Sequence, residues 1–320
     1  MKLLRIVLLS LAAALAAHAS AQTWPARPVT IVLGYPAGSG IDVVTRFLAD
    51  SLRERTGVPF IVDNKPGSFA NIGARAVAGA ASDGYTMFFT TTSTHAANIH
   101  LYKSIGYDPV KDFTPITTVA TLGFMLVINP VKLPVTSVSE LTSYLKAHPG
   151  KVAYGSASAT GRVAAELYQA MTGTNMTFIP YKAGQQATLD LLSGDLQVLF
   201  LDATAAVPHM RAGKIRALAV TNANRVSAAP EVPTMAEAGL PGYELESWFA
   251  VFFPAKAPRD ITQKVAELCN ASMTSEKGRA FLTKLGADPY PGSSEALARL
   301  VEKDLAKWGK IIKNAGIEPE

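Results

Sequence analysis

Residues Pro28–Arg46, PVTIVLGYPAGSGIDVVTR, run from a strand pattern through a glycine-rich bend into a helix pattern. Val29 to Tyr35 is largely apolar and β-branched, and Gly38 and Gly40 follow one residue apart. Ile41, Val44, Phe47, Leu48 and Leu52 then recur at helical spacing until Gly57 stops them. Such a strand–bend–helix unit opens a βαβ fold. The bend is not a nucleotide loop. Counted from Gly34, a P-loop needs Gly and Lys where Ser39 and Gly40 stand, and GxGxxG fails at Val43. What survives is the physics beneath both motifs: glycines let backbone approach a ligand, and free N–H groups at a helix start favour an anion.

The same rhythm continues. PFIVDN (59–64) and YTMFFTTT (85–92) read as strands around the small-residue helix NIGARAVAGAA (71–81). PITTVATLGFMLVINP (115–130) is long enough to carry the chain into a second lobe. There SVSELTSYLKAHPG (137–150) starts with a capping box, Ser137 to Glu140. KVAYGS, MTFIPY, LQVLFLDA and IRALAVT follow as strands with helices between them, and YELESWFAVFFPAKAP (243–258) reads as the return crossing. The last helix places Leu297, Leu300, Val301, Leu305, Trp308 and Ile312 on one face, so it should pack on a sheet. The expected fold is α/β and two-lobed, each lobe a mostly parallel sheet flanked by helices, joined by two crossover strands. Residues 22–124 with 246–320 form the first lobe in this reading, and 125–245 the second.

The second lobe repeats the opening device in YGSASATGRVAAEL (154–167), where Ser156, Ser158 and Thr160 add hydroxyl donors. Two helix N-termini facing each other across a cleft would each carry roughly half a positive charge, a clamp suited to a carboxylate. Either bend alone reads better as an ordinary turn with glycine and serine caps. Their pairing in an exported protein favours a ligand.

Export is read from the first residues. MKLLR is a short basic start, Ile6–Ala17 a twelve-residue apolar run, and Ala19-Ser20-Ala21 a small-residue cleavage site. This is a secretory signal peptide, residues 1–21, with the mature chain starting at Gln22 in a bacterial periplasm. The apolar run falls short of the ~20 residues that span a bilayer. Its removal takes Lys2 and Arg5 and no acid, so 30 basic residues against 25 acidic become 28 against 25. With no basic block or stripe, a nucleic-acid partner is excluded. Cys269 is the single cysteine, so no internal disulfide forms, and its helix-patterned setting marks a buried apolar residue. His95, His100, His148 and His209 show no metal-binding spacing, and no GxSxG elbow supports a secreted hydrolase.

From Trp24 onward the sequence resembles the solute receptors of tripartite tricarboxylate transporters, the Bug proteins. WPARPVTIVLGYPAGSGID, VDNKPGSFANIGARAVA, SDGYTMFFTTTSTHAAN, FIPYKAG, DLLSGDLQVLFLD and APEVPTMAEAG carry the resemblance in order along the chain. It implies a monomeric periplasmic binding protein of the Venus-flytrap type, not an enzyme and without cofactor. Such a receptor closes on a small organic carboxylate (an amino acid, a dicarboxylate or an aromatic acid) and presents it to membrane transporter subunits. A receptor feeding a sensor kinase would share the same architecture.

Carried over by position, the resemblance points to Tyr35, Ala37, Gly38, Ser39, Gly40 and Asp42 in the first-lobe loop. Ser39 stands where a second glycine is usual, and Asp42 suits holding the loop better than touching an anion. Thr92, Ser93 and Asn98 come from the cleft-facing strand end, while His95 is either a contact or a structural histidine. Ser156, Ala157, Ser158, Thr160 and Arg162 come from the second-lobe loop, with Arg162 where many relatives carry histidine. Tyr181, Lys182 and Asp202 end strands that should point at the cleft, and Asp202 would suit an ammonium or hydroxyl. Phe69 and Ala70 replace glycine-like residues at the rim, and Trp248 and Phe249 are hinge packing or ligand contacts.

Overall fold

The computed structural model describes residues 24–319, so the segment read as a signal peptide lies outside the described residues. The opening stretch folds as β1 (Val29–Leu33), a bend, and α1 (Gly40–Thr56). β2 (Phe60–Asn64), α2 (Asn71–Ala78) and β3 (Thr86–Thr91) follow, then a π-helical turn (Ser93–Ala97) running into α3 (Asn98–Leu101). β4 (Phe113–Leu122) leads through Gly123 into β5 (Phe124–Ile128) and a second sheet. That sheet is completed by β6 (Ala153–Ser156), β7 (Thr177–Pro180), β8 (Val198–Asp202) and β9 (Arg216–Val220). Around it lie α4 (Val138–Ala147), α5 (Ala159–Thr172), α6 (Gly184–Ser193) and α7 (Ala203–Arg211). β10 (Ser247–Pro254) returns the chain, followed by α8 (Arg259–Met273), α9 (Glu276–Leu285), β11 (Ala287–Pro289) and α10 (Ser294–Asn314).

The first sheet has the order β11-β4-β10-β3-β1-β2 and the second β7-β6-β8-β5-β9. Both are mixed rather than purely parallel, and the reason is the crossings. β1, β2 and β3 pair in parallel, as do β6, β7 and β8, but β10 enters antiparallel between β3 and β4, and β5 antiparallel between β8 and β9. A strand arriving from the other lobe runs against the sheet it joins.

Both faces of each sheet are covered, so the strands read as near-continuous apolar runs. Ile31, Leu33, Met87 and Phe89 pack on one face of the first sheet, and Val32, Phe88 and Phe252 on the other. Leu126 and Phe200 face one core of the second sheet, Met125 and Leu201 its other. The capping box forms in part: Ser137 Oγ accepts the Glu140 N–H, while the Glu140 carboxylate reaches back to the Thr136 N–H. Cys269 is buried, and loss of solvent pushes its thiol up to about 12.

The two crossings are tied at Thr221. Its hydroxyl accepts the Phe124 N–H at 3.2 Å and donates to the Leu245 carbonyl at 2.7 Å. α10 packs against both lobes. Leu297 and Val301 join a first-sheet core, whereas Trp308 and Ile312 sit in a second-sheet core with Tyr154 and Tyr168.

Candidate functional site

The bend after β1 and the bend after β6 face each other across the cleft and enclose a chamber of about 100 Å³. That is room for several water-sized groups, hence for a small acid rather than a nucleotide. Three helices start on it. α1 contributes Ser39, Gly40 and Ile41, α5 contributes Ser158 and Thr160, and α6 contributes Ala183 and Gly184. Ser39 does not cap α1, because its hydroxyl donates to the Pro36 carbonyl, and Ala183 has no side chain to cap α6. The first-turn N–H groups of both helices are therefore left for another acceptor. Ser158 does cap α5, through the Gly161 N–H.

Two hydroxyls sharpen the picture. Ser93 Oγ and Thr160 Oγ1 are buried on the chamber wall, and neither has a partner of good hydrogen-bond geometry among the described residues, although the Tyr35 hydroxyl lies near Ser93. A buried hydroxyl without a partner costs about 1–3 kcal/mol, which a ligand oxygen would recover. Tyr35 also lines the chamber; burial raises its phenol, and its hydroxyl is 3.0 Å from Thr91 Oγ1. Phe124 and Phe249, supplied by the crossing strands, give the chamber an apolar wall.

Ser156, Ala157 and Asp202 complete the expected residues found here. Asp202 caps α7, its Oδ1 accepting the Thr204 hydroxyl and the Ala205 N–H. Loss of solvent raises its carboxyl above the usual carboxylate range, against the lowering effect of those bonds. Arg162 and Tyr181 line a second compartment of about 180 Å³ that shares Tyr35, Pro36, Ala157 and Lys182 with the first. The half-buried Arg162 guanidinium lies 4.9 Å over the Phe178 ring. Gly38 lies on an outer groove with Ser39, and the Ala37 carbonyl accepts from Gln185 across the cleft.

Asp42, Thr92 and Asn98 do not line either compartment; each is spent on structure. Asp42 accepts from the Gly38 N–H, Arg46 and Asn64. Burial alone would raise its carboxyl, but these bonds outweigh it and hold it below the usual range. Thr92 Oγ1 accepts from Ser247 and the Trp248 N–H, joining β3 to the return crossing. Asn98 donates to the Phe69 carbonyl at 2.9 Å and so holds the rim, where Ser68, Phe69 and Ala70 all have positive φ. Three non-glycine residues in that region cost about 1 kcal/mol or more each, and the bond from Asn98 helps to keep them there. His95 is buried within a stack of Phe252, Phe113 and Phe88, away from the chamber. Trp248 is likewise internal, its Nε1–H donating to Asp304 at 2.8 Å, whereas Phe249 lines the chamber.

Lys182 lines the chamber as the strand end before it suggested, Ala183 and Gly184 are additions, and FIPYKAGQQ is a third strand–bend–helix run that could have revealed them. Phe124 and Ser247 sit where the two crossings pass the cleft. The lobes meet closely at Gly40, where an added Cβ would lie 2.0 Å from Thr204 Oγ1 and 3.1 Å from Asp202 Oδ1. Gly40→Ala should therefore hold the lobes apart and weaken ligand binding by about 1–2 kcal/mol, the scale of overpacking. Thr204→Ala in the same chain should restore most of it. Calorimetric titration of both proteins checks this; an unchanged affinity for Gly40→Ala would refute so close an approach.

A family model described as "Tripartite tricarboxylate transporter family receptor" matches residues 44–317. "Protein BugT" of Bordetella pertussis is 33% identical over 307 residues, covering 95% of this chain and 94% of that one. Among solved structures, "R. palustris Rpa4515 with adipate" superposes with a TM-score of 0.90 at 39% identity, over 93% of this chain and 100% of that one. "MatC (Rpa3494) from Rhodopseudomonas palustris with bound malate" gives 0.85 at 28% identity, over 90% and 100%.

Proposed function

Since the chain belongs to the tripartite tricarboxylate transporter receptor family, we propose that it is a periplasmic receptor that closes on a small dicarboxylate and presents it to a membrane transporter. The observation that carries this reading is the chamber on which three helix N-termini and the buried hydroxyls of Ser93 and Thr160 converge. Each helix start contributes about 0.3–1 kcal/mol toward an anion, more where partly buried, without placing a counter-charge on the ligand's path. One carboxylate of the ligand lies against Ser39, Gly40, Ser156, Ser158 and Thr160, with Ser93 donating from the strand end. The apolar faces of Phe124 and Phe249 receive the carbon chain. The second carboxylate reaches the adjoining compartment, where Arg162 and Lys182 carry positive charge.

Adipate and malate, the ligands of the two solved relatives, are both dicarboxylates, which supports this class. Because the bends belong to different lobes, a bound acid bridges them and stabilises the closed form that a transporter would read.

At a hundredfold excess over Kd, a fitting dicarboxylate should stabilise the protein by about 2.7 kcal/mol. For a chain of this length that is roughly 4 °C in Tm, readable by thermal shift with adipate and malate. No shift with either acid, together with turnover of an ester panel, would replace the receptor with a hydrolase.

A further inference from the structure

We infer that Asp202 makes this receptor selective for acids that carry a hydrogen-bond donor, an ammonium or a hydroxyl, on the carbon next to the bound carboxylate. The inference rests on the reading just given and names the ligand class more narrowly. Asp202 ends β8 on the chamber wall, and both of its side-chain hydrogen bonds, from Thr204 and from the Ala205 N–H, fall on Oδ1. Oδ2 is the oxygen left for a ligand. Asp202 shares the chamber with the start of α1, its Oδ1 lying 3.1 Å from the position of a Cβ on Gly40.

Among the described residues, Asp202 is the one acidic side chain on this chamber, and the exposed Lys182 on the rim its one cation. The other groups around it, Ser39, Gly40, Tyr35 and Thr204, are uncharged. Asp42, the other acid of the α1 loop, is engaged by Arg46 and Asn64 behind the bend.

A plain carboxylate closed in beside Asp202 sets two like charges together in a space largely cut off from water, which is unfavourable. A donor on the adjacent carbon turns that opposition into a charge-assisted hydrogen bond. A site that leaves a polar group unpaired with the wrong ligand discriminates strongly against it. Phe124 and Phe249 offer such a donor no acceptor, and the hydroxyls that share the chamber carry no charge, so Asp202 is its strongest partner there.

Two matched series separate this selectivity from ligand length: succinate, malate and aspartate, then adipate and 2-aminoadipate. Calorimetry on the native protein should show the substituted acid of the better-fitting series bound at least tenfold more tightly than its parent. Asp202→Asn keeps an oxygen to cap α7 and removes only the charge, so it should abolish the preference for the ammonium-bearing acid while leaving the parent acid's affinity equal or improved. Equal binding of parent and substituted acids by the native protein overturns the inference but leaves the carboxylate receptor standing. So does an equal loss for every acid in Asp202→Asn, which would reduce the residue to a helix cap. Failure of all five acids to bind overturns both.

Discussion

Lowering the pH from 6.5 to 4.5 should remove roughly 2 kcal/mol of folding stability through His95 alone. The histidine is fully buried against Phe252 at a ring separation of 3.8 Å, with Phe113 and Phe88 alongside, and burial pushes its pKa down to about 3. Nδ1 lies 2.9 Å from Thr94 Oγ1, while Nε2 has no partner among the described residues, so nothing nearby would hold an imidazolium. The unfolded chain takes up a proton near pH 6.5 and the folded one does not until far lower. Stability due to this residue is therefore complete above pH 6.5 and falls with acid at up to about 1.4 kcal/mol per pH unit until the folded pKa is reached. Urea unfolding at several pH values measures the slope. His95→Gln should flatten that part of the profile whatever it does to the absolute stability, and an unchanged slope would show that the acid sensitivity lies elsewhere.

Arg162→Gln should cost about 1.5–3 kcal/mol of affinity for a dicarboxylate, the scale of a hydrogen bond to a charged group, and far less for the monoamide of the same acid. Arg162 stands in the first turn of α5, where a cation is disfavoured by a few tenths of a kcal/mol. Its half-buried guanidinium is held over Phe178 on the wall of the second compartment, and its fork suits bidentate recognition of a carboxylate better than lysine or histidine would. Calorimetry with adipate and adipic monoamide on both proteins separates the cases. Equal losses for the two ligands would make Arg162 a packing residue of the α5 start.

The α/β character, the family and the paired bends were legible because they depend on local order: β-branched runs, glycine or serine bends, and helical periodicity from Ile41 and from Val163. Other features escaped because they depend on partners distant in the chain. Thr92 turns away from the ligand to serve Ser247 and Trp248, and Asn98 turns to serve Phe69. The start of α6 carries no capping side chain at Ala183, so only the strand–bend–helix run of FIPYKAGQQ marked it as a third anion-facing terminus. The apolar face of α10 announced burial, but periodicity does not say which lobe does the burying. The resemblance points to Asp42 as part of the site, while chemistry favours an acid beside an anion clamp holding the loop, as its bonds to the Gly38 N–H and Arg46 do.

α10 also limits how the cleft can move. Its first half is embedded in one lobe, while Trp308 and Ile312 are embedded in the other. Prising those two side chains out of the second lobe would expose apolar surface at about 1.5–3 kcal/mol each. A rotation whose axis ran far from them would incur that cost on every opening. An opening that kept Trp308 and Ile312 seated would pivot beside the C-terminal helix and part the lobes at the bends, at the far end of the lever from it.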